Sequence, residues 1–310
     1  MQWRVYKLAP VPSMLAIPNF SEGRDPHVIA ALEQALTATP GVRLLDIHTD
    51  PDHNRSVYTL AAVDQHASLA DAITAGAARA IDLLDITTHM GSHPHVGMLD
   101  VAPIVYMDEA ECGSACAQAL VLGDRLGNEL GIPVFLYGAL TDFRVTRADI
   151  RRGGPWALQA RIEAGELVPD FGPRALHPRA GAALVSARPP LIAFNVELAP
   201  PATLQTAQLI AALIREGGAE GLPSVRAIGL TLPHREDVAQ VSTNIDDYRR
   251  TSPAAVVEAI ARHATPLRAE VVGLPPRAAF QDFPEQLAVA NRRYLEDALH
   301  SVTDSGADND

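Results

Sequence analysis

Three histidines, His89, His93 and His95, fall within seven residues in the stretch Thr88-His89-Met90-Gly91-Ser92-His93-Pro94-His95-Val96-Gly97. An imidazole titrates at about pH 6.5, so it can take and return a proton under neutral conditions. Gly91, Pro94 and Gly97 break any helix here and place the histidines on a loop. His93 reads as the acid–base candidate, against the alternative that its ring only makes structural hydrogen bonds. His89 and His95 read as positioning or binding residues.

A metal site is the rival reading. His89 and His93 have the i, i+4 spacing of two ligands on a helix, and the nearby loop 48–54 supplies His48, Asp50, Asp52 and His53. Gly91 and Pro94 argue against that helix, and Asp and Asn in such loops often bond their own turn. The expectation is a protein without a metal. In the same loop, Arg55 offers a planar fork that can pin a carboxylate with two parallel hydrogen bonds. Its alternative is a salt bridge to Asp50 or Asp52. Asn54 either orients a polar substrate or caps the turn.

Two further segments, Pro169-Asp170-Phe171-Gly172-Pro173 and Arg179-Ala180-Gly181-Ala182, hold glycines that let a ligand approach the backbone, or that merely ease a crossing between domains. Gln240-Val241-Ser242-Thr243-Asn244 reads as a plain sheet strand with a polar outer face. G-x-G-x-x-G, Walker A and G-x-S-x-G patterns are missing from the sequence, which removes the main support for dinucleotide, P-loop and α/β-hydrolase readings.

The elements that must carry these residues alternate. Apolar periodicity predicts strands at 14–18, 42–47, 56–63, 101–107 and 134–137, with helices at 26–37, 69–84 and 112–130. The stretch 138–187, rich in Arg, Gly and Pro, reads as a short helix at 155–163 followed by a long irregular loop. A second series follows: strands at 191–198, 225–232, 238–245 and 267–274, helices at 204–216, 254–263 and 286–299. Each series has the order β-α-β-β-α-β. The predicted fold is α/β (α+β), with two ferredoxin-like βαββαβ-type subdomains whose sheets are covered by helices. The expected subdomains are 1–180 and 181–300, with a disordered acidic tail at 301–310.

Composition limits the function classes. The 310 residues are 47% hydrophobic and 20% charged, as in an ordinary globular protein. Lys plus Arg number 25 against 37 Asp plus Glu, a net charge of −12, so the basic surface of a duplex nucleic-acid binder is not expected. No apolar run approaches the ~20 residues of a membrane span. Pro10, Pro12 and Pro18 interrupt the N-terminal apolar stretch, so a secretory signal is not expected either. Cys112 and Cys116, one helical turn apart, read as reduced packing residues rather than a disulfide framework or metal pair. A cytoplasmic protein with neither nucleic-acid nor membrane partners is the expectation.

Seven short motifs occur in register: Pro18-Asn19-Phe20-Ser21-Glu22-Gly23, Asp52-His53-Asn54-Arg55, Gly91-Ser92-His93-Pro94, Gly97-Met98-Leu99-Asp100, Pro169-Asp170-Phe171-Gly172-Pro173, Leu191-Ile192-Ala193-Phe194-Asn195 and Ala239-Gln240-Val241-Ser242-Thr243-Asn244. Together, over about 16–275, they resemble the glutamate formiminotransferases, including the formiminotransferase part of formiminotransferase-cyclodeaminase. The resemblance implies two α/β subdomains with folate between them, a homodimer, and transfer of the formimino group from N-formimino-L-glutamate to tetrahydrofolate in histidine breakdown. It makes His93 the catalytic histidine. Beside it, His48, Asn54, Arg55 and His95 are the candidates for binding the substrate. The resemblance assigns the folate to Gly172, Pro173, Arg174, Ala175, Leu176, His177, Pro178, Arg179, Ala180 and Gly181, and to Leu222, Val225, Arg226, Ala227, Ile228 and Gly229. The small-molecule partners are then formiminoglutamate and tetrahydrofolate, with no metal.

Four positions depart from the family pattern. Gly91-Ser92-His93-Pro94-His95 replaces the usual G-E-H-P-R, His48 stands where the animal enzyme has aspartate, and Ala180 replaces a tryptophan. The alternatives are a homologue moving a formyl or other one-carbon group or acting on another amino acid, a folate binder without catalysis, and a metal-dependent hydrolase.

Overall fold

The computed structural model describes residues 14–64 and 67–304. Its first sheet begins with β1 (Met14–Ala16) and β2 (Asn19–Phe20), two short pieces of one line on either side of Pro18, which has no N–H for the ladder. Helix α1 (Pro26–Thr37) follows, started by Asp25, whose carboxylate accepts from the His27 and Val28 amides. Strands β3 (Val42–Asp50) and β4 (Arg55–Ala62) form a hairpin that closes on the pair Asp50 and Arg55. Helix α2 (Leu69–Leu83) leads to β5 (Leu99–Tyr106). β1 and β2 lie antiparallel between β4 and β5, so these elements are one βαββαβ unit with β3 at its edge.

The unit is extended by α3 (Cys112–Asn128), β6 (Val134–Gly138), α4 (Arg147–Arg151), α5 (Gly154–Glu163) and β7 (Ala183–Arg188). β7 inserts between β5 and β6, parallel to both. The stretch 138–187 is therefore less irregular than expected. Ala183, Leu184, Val185, Ser186 and Ala187 are all buried, and a short apolar run between Gly181 and Pro189 is the mark of such an inner strand. The first sheet accordingly runs to Arg188, past the expected boundary at 180.

The second unit comprises β8 (Ile192–Leu198), α6 (Leu204–Ile214), β9 (Val225–Leu232), β10 (Val238–Ile245), α7 (Pro253–Ala261) and β11 (Pro266–Val272), with sheet order β11-β8-β10-β9, antiparallel throughout. Two βαββαβ units with helix-covered sheets are the architecture. The short β12 (Val289–Ala290) adds parallel to β11. The last helix, α8 (Leu295–Asp304), starts nine residues later than the predicted 286. Residues 289–290 complete the edge of β11, and Asn291 then takes a left-handed φ of 57° that no helix accommodates. Residues 301–304 of the expected tail belong to α8, and 305–310 lie outside the described residues.

Alternation along the strands decides which side chains meet. Tyr58 and Leu60 of β4 and Ala102 and Ile104 of β5 point into a core under α1, α2 and α3. Phe194, Val196, Val241 and Val271 point into the second core. The opposite faces carry Arg55, Val57, Thr59, Val101 and Pro103 on the first sheet and Ala193, Asn195, Ser242, Asn244 and Val272 on the second; all of these line one small chamber between the sheets. No described helix is long and apolar enough to cross a membrane.

Candidate active site

A crevice of about 900 Å³ opens between the two units. The loop with Ser92, His93 and His95, strand-end residues Tyr137 and Gly138, and α4 form one side. Val225, Arg226, Ala227 and Ile228 of β9 and Ser242 and Asn244 of β10 form the other. His93, Arg147, Arg151 and Arg188 line both this crevice and the inner chamber of about 80 Å³, to which Arg55 and Asn195 also contribute.

The histidine loop is pinned by backbone contacts that explain its glycines. The Ser92 amide and hydroxyl both donate to the Asp52 carbonyl, at 3.1 Å each. A Cβ on Gly91 would stand 2.2 Å from the His53 carbonyl oxygen. Gly97 is tighter still: a Cβ there would stand 1.9 Å from the Ala182 oxygen, and the Gly97 carbonyl accepts from the Ser21 hydroxyl at 2.8 Å. Asp100 closes the turn by accepting from the Val96 amide at 2.9 Å. The motifs at Ser21, Asp52, Gly91 and Gly97 thus converge on one task, holding the loop against the sheet edge.

His93 is half-buried, and its Nε2 accepts from Arg55 Nη1 at 3.1 Å. Burial holds its pKa well below the usual histidine value; the positive charges of Arg55 and Arg151 and the His53 ring add to this, and a hydrogen bond to the Pro94 backbone opposes it. Since a guanidinium only donates and the Pro94 backbone only accepts, the ring is neutral with its proton on Nδ1. Arg151 is anchored by Asp100, an ion pair with both side chains largely buried. Arg55 itself falls to about 10, burial first and Arg151 second, and stays a cation at neutral pH.

The crevice is cationic in an acidic chain. Among its described lining residues are Arg147, Arg151, Arg152, Arg188, Arg215 and Arg226, against Glu216 and Asp246, and Asp246 already accepts from Arg226 Nε at 2.9 Å. Burial lowers the pKa of Arg147, and that of Arg188 to about 10. A site built this way favours a ligand that carries several negative groups, carboxylates among them.

The other expected site residues divide. His95 lines the crevice, its ring edge-on to His89 at 4.4 Å. Asn54 is buried in a left-handed turn with φ 48°; its Oδ1 accepts from the Gly23 amide at 3.0 Å and its Nδ2 donates to the Met90 carbonyl at 3.3 Å. It braces the loop and does not line the crevice. His48 is buried on β3, away from the crevice lining, with its pKa lowered to about 4 by burial and then by Arg55. His89 and His93 do not converge as ligands on a helix. His89 faces Asn54 and His95, while His93 faces Arg55 and His53. Both cysteines are free and half-buried on α3.

The two segments assigned to folate also differ. Val225, Arg226, Ala227 and Ile228 face the crevice; Leu222 packs against the second core, and Gly229 packs on α6, where a Cβ would meet the Gln208 amide nitrogen at 2.2 Å. Gly172, Pro173, Arg174, Ala175, Pro178 and Arg179 are exposed, and none of 172–181 lines the crevice. That segment forms a tight turn in which His177 Nδ1 accepts from the Ala180 amide at 2.9 Å, while Gly181 bridges to Gly97 and the Leu176 amide donates to Gln159.

Sequence reasoning missed Arg147, Arg151 and Arg188, and it read Ser242 and Asn244 as an outer strand face. The available signal was the cluster of arginines after residue 143; the alternation of Gln240, Ser242 and Asn244 said that they share a face, not which face.

Comparison with known proteins agrees with this geometry. Residues 13–188 match the family model of the formiminotransferase domain, N-terminal subdomain, and 193–282 that of the formiminotransferase domain. Over 276 residues the chain is 37% identical to the glutamate formimidoyltransferase of Streptococcus pyogenes serotype M1, covering 87% of this chain and 91% of that protein. It is 34% identical over 276 residues to the glutamate formimidoyltransferase of Thermoplasma acidophilum, covering 86% and 89%. It is 37% identical over 298 residues to the formimidoyltransferase-cyclodeaminase of Gallus gallus, covering 92% of this chain and 54% of that protein. The chain thus spans about half the length of the cyclodeaminase relatives it matches.

Proposed function

The chain belongs to the formiminotransferase family, and on that premise we propose that it transfers the formimino group from N-formimino-L-glutamate to tetrahydrofolate. The observation that carries this reading is a neutral imidazole, His93, at the junction of a large crevice and an inner chamber, ringed by arginines from both sides.

In this reading the folate amine attacks the formimino carbon. As that C–N bond forms, His93 takes the amine's proton. The tetrahedral intermediate then breaks its bond to the glutamate nitrogen, which receives the proton from His93, so the imidazole ends as it began. General acid–base help of this kind is worth ~10²–10⁴-fold. Holding both substrates in one crevice adds an entropic gain that can exceed it.

Arg55 has a further part here. Its Nη1 occupies the lone pair that His93 needs. A substrate carboxylate offers the guanidinium a charged acceptor in place of a neutral one, adding the attraction of opposite charges and a bidentate geometry that the imidazole lacks. Donor binding then draws Arg55 off the imidazole and frees the base only when substrate is present. Arg147, Arg151 and Arg188 are placed to hold the remaining carboxylates.

Tetrahydrofolate is proposed to lie along Val225, Arg226, Ala227 and Ile228, with the exposed 172–181 turn, carried over from the family resemblance, as an outer contact. A cytoplasmic setting and a homodimeric assembly complete the reading; the free cysteines, the acidic composition and the family pattern support them.

Release of glutamate from formiminoglutamate, measured with and without tetrahydrofolate, tests the proposal. Folate-dependent release supports it. Tight tetrahydrofolate binding with no release, but turnover with a formyl donor, replaces it by the one-carbon alternative.

A further inference from the structure

Away from the crevice, the sheet faces carry a second set of buried charged groups. His48 and Asp50 stand two residues apart on β3 and so share a face; Glu270 comes from β11 of the second sheet. One ligand atom from each lies within 4.8 Å of the other two. The three residues are 5%, 7% and 5% exposed, in that order.

The carboxylates around them are matched to cations. Glu197 takes Arg235 and Arg268, and Asp46 takes Arg293. Asp50 and Glu270 have no arginine ion pair among the described residues. Asp50 accepts only from the Asp52 and His53 amides, at 2.9 Å each, with the His53 ring at 3.1 Å. Glu270 accepts from the Asn291 side-chain amide at 3.2 Å. Arg55 and Arg235 act on this pair only through space. Two buried carboxylates held by neutral donors and facing each other without an arginine between them are expensive, and a third observation points to what belongs there: Nε2 of the buried His48 has no hydrogen-bond partner.

The geometry points to a divalent transition-metal site formed by His48, Asp50 and Glu270, in which the ion joins the edge hairpin of the first sheet to β11 of the second. One imidazole with two carboxylates is a ligand set that suits zinc, manganese or ferrous iron. Ligand atoms around a tetrahedral ion with bonds of about 2.1 Å stand roughly 3.4 Å apart, so side-chain rotations bring the trio to binding distance. The site lies outside the lining of the crevice and does not depend on the proposed transferase activity.

The test uses the whole chain, stripped with chelator and titrated with zinc chloride and, separately, manganese chloride. We expect one equivalent bound per chain by elemental analysis after gel filtration, and a rise in Tm of several degrees that EDTA reverses. His48→Ala and the isosteric Glu270→Gln should each lower the bound metal at least tenfold, with circular dichroism reporting whether the variant is folded. A wild-type chain that retains less than 0.2 equivalent of either metal (on the order of background at micromolar affinity), or a folded variant that binds as well as the wild type, overturns the site. If neither variant folds, the wild-type stoichiometry and the Tm shift decide.

Discussion

Arg55 Nη1 donates to His93 Nε2 across 3.1 Å, so a cation and a base 38 residues apart in sequence form one hydrogen-bonded unit. The unit exists because the β3–β4 hairpin ends on Arg55, and because the Ser92 contacts to Asp52 press the histidine loop against that hairpin end. It adds to burial in lowering the basicity of His93, and it puts the base under the control of whatever competes for Arg55.

Replacement of Arg55 separates these effects. Arg55→Ala should raise KM for the formimino donor and lower kcat/KM by about 100-fold, the scale of a lost charge-assisted contact. With the cation gone, the His93 pKa should rise and carry the acidic limb of the pH profile upward. Steady-state kinetics across pH check both; an unmoved acidic limb removes Arg55 from the control of the base.

His93→Ala should lower kcat by ~10²–10⁴-fold. Heat protection by tetrahydrofolate should remain, near 2.7 kcal/mol at about 100 times Kd. Turnover at wild-type rate would take His93 out of the mechanism.

The pH dependence follows from the direction of the His93 shift. A histidine whose pKa is lowered in the folded protein stays neutral as pH falls through the ordinary histidine range. The active form is the neutral base, so kcat/KM should hold level from pH 7 down through about 6.5 and fall only in more acidic buffer. A half-maximal point at or above the ordinary histidine pKa would mean that burial and Arg55 do not depress the base.

Arg226 and Arg174 discriminate between the two folate segments. Arg226 lines the crevice and Arg174 is exposed on the 172–181 turn. Arg226→Ala should raise KM for tetrahydrofolate about tenfold, the scale of one charged hydrogen bond. If Arg174→Ala does so and Arg226→Ala does not, the cosubstrate lies along the turn instead.

Gly97→Ala should be destabilising by roughly 3 kcal/mol, because its methyl would overlap the Ala182 carbonyl and the loop must move to admit it. Urea unfolding measures this, and the displaced loop should also cost turnover in whatever fraction stays folded. A variant of wild-type stability would mean that the close packing at Gly97 does not set the position of His93.

Local sequence was enough for much of this. The alternation of Val57, Thr59 and Ala61 and the helical spacing of Val28, Ile29, Leu32 and Leu36 fix elements through contacts within a few residues, and the β-α-β-β-α-β order followed from such patterns. The motifs likewise marked His93 and Arg55. Strand β7 was passed over because its apolar run is short and set in a stretch rich in Gly and Pro, and its place between β5 and β6 is a long-range pairing; α8 was shifted because the edge of β11 claimed Val289 and Ala290. The pairing of Asp100 with Arg151 was decided by how α4 packs within the first unit, and the turn of Ser242 and Asn244 toward the crevice and the meeting of His48 and Asp50 with Glu270 by the packing of one sheet on the other. A period of two residues tells which side chains share a face, while the surface that face meets is set by elements up to two hundred residues away, where burial and charge matching, not local propensity, select the arrangement.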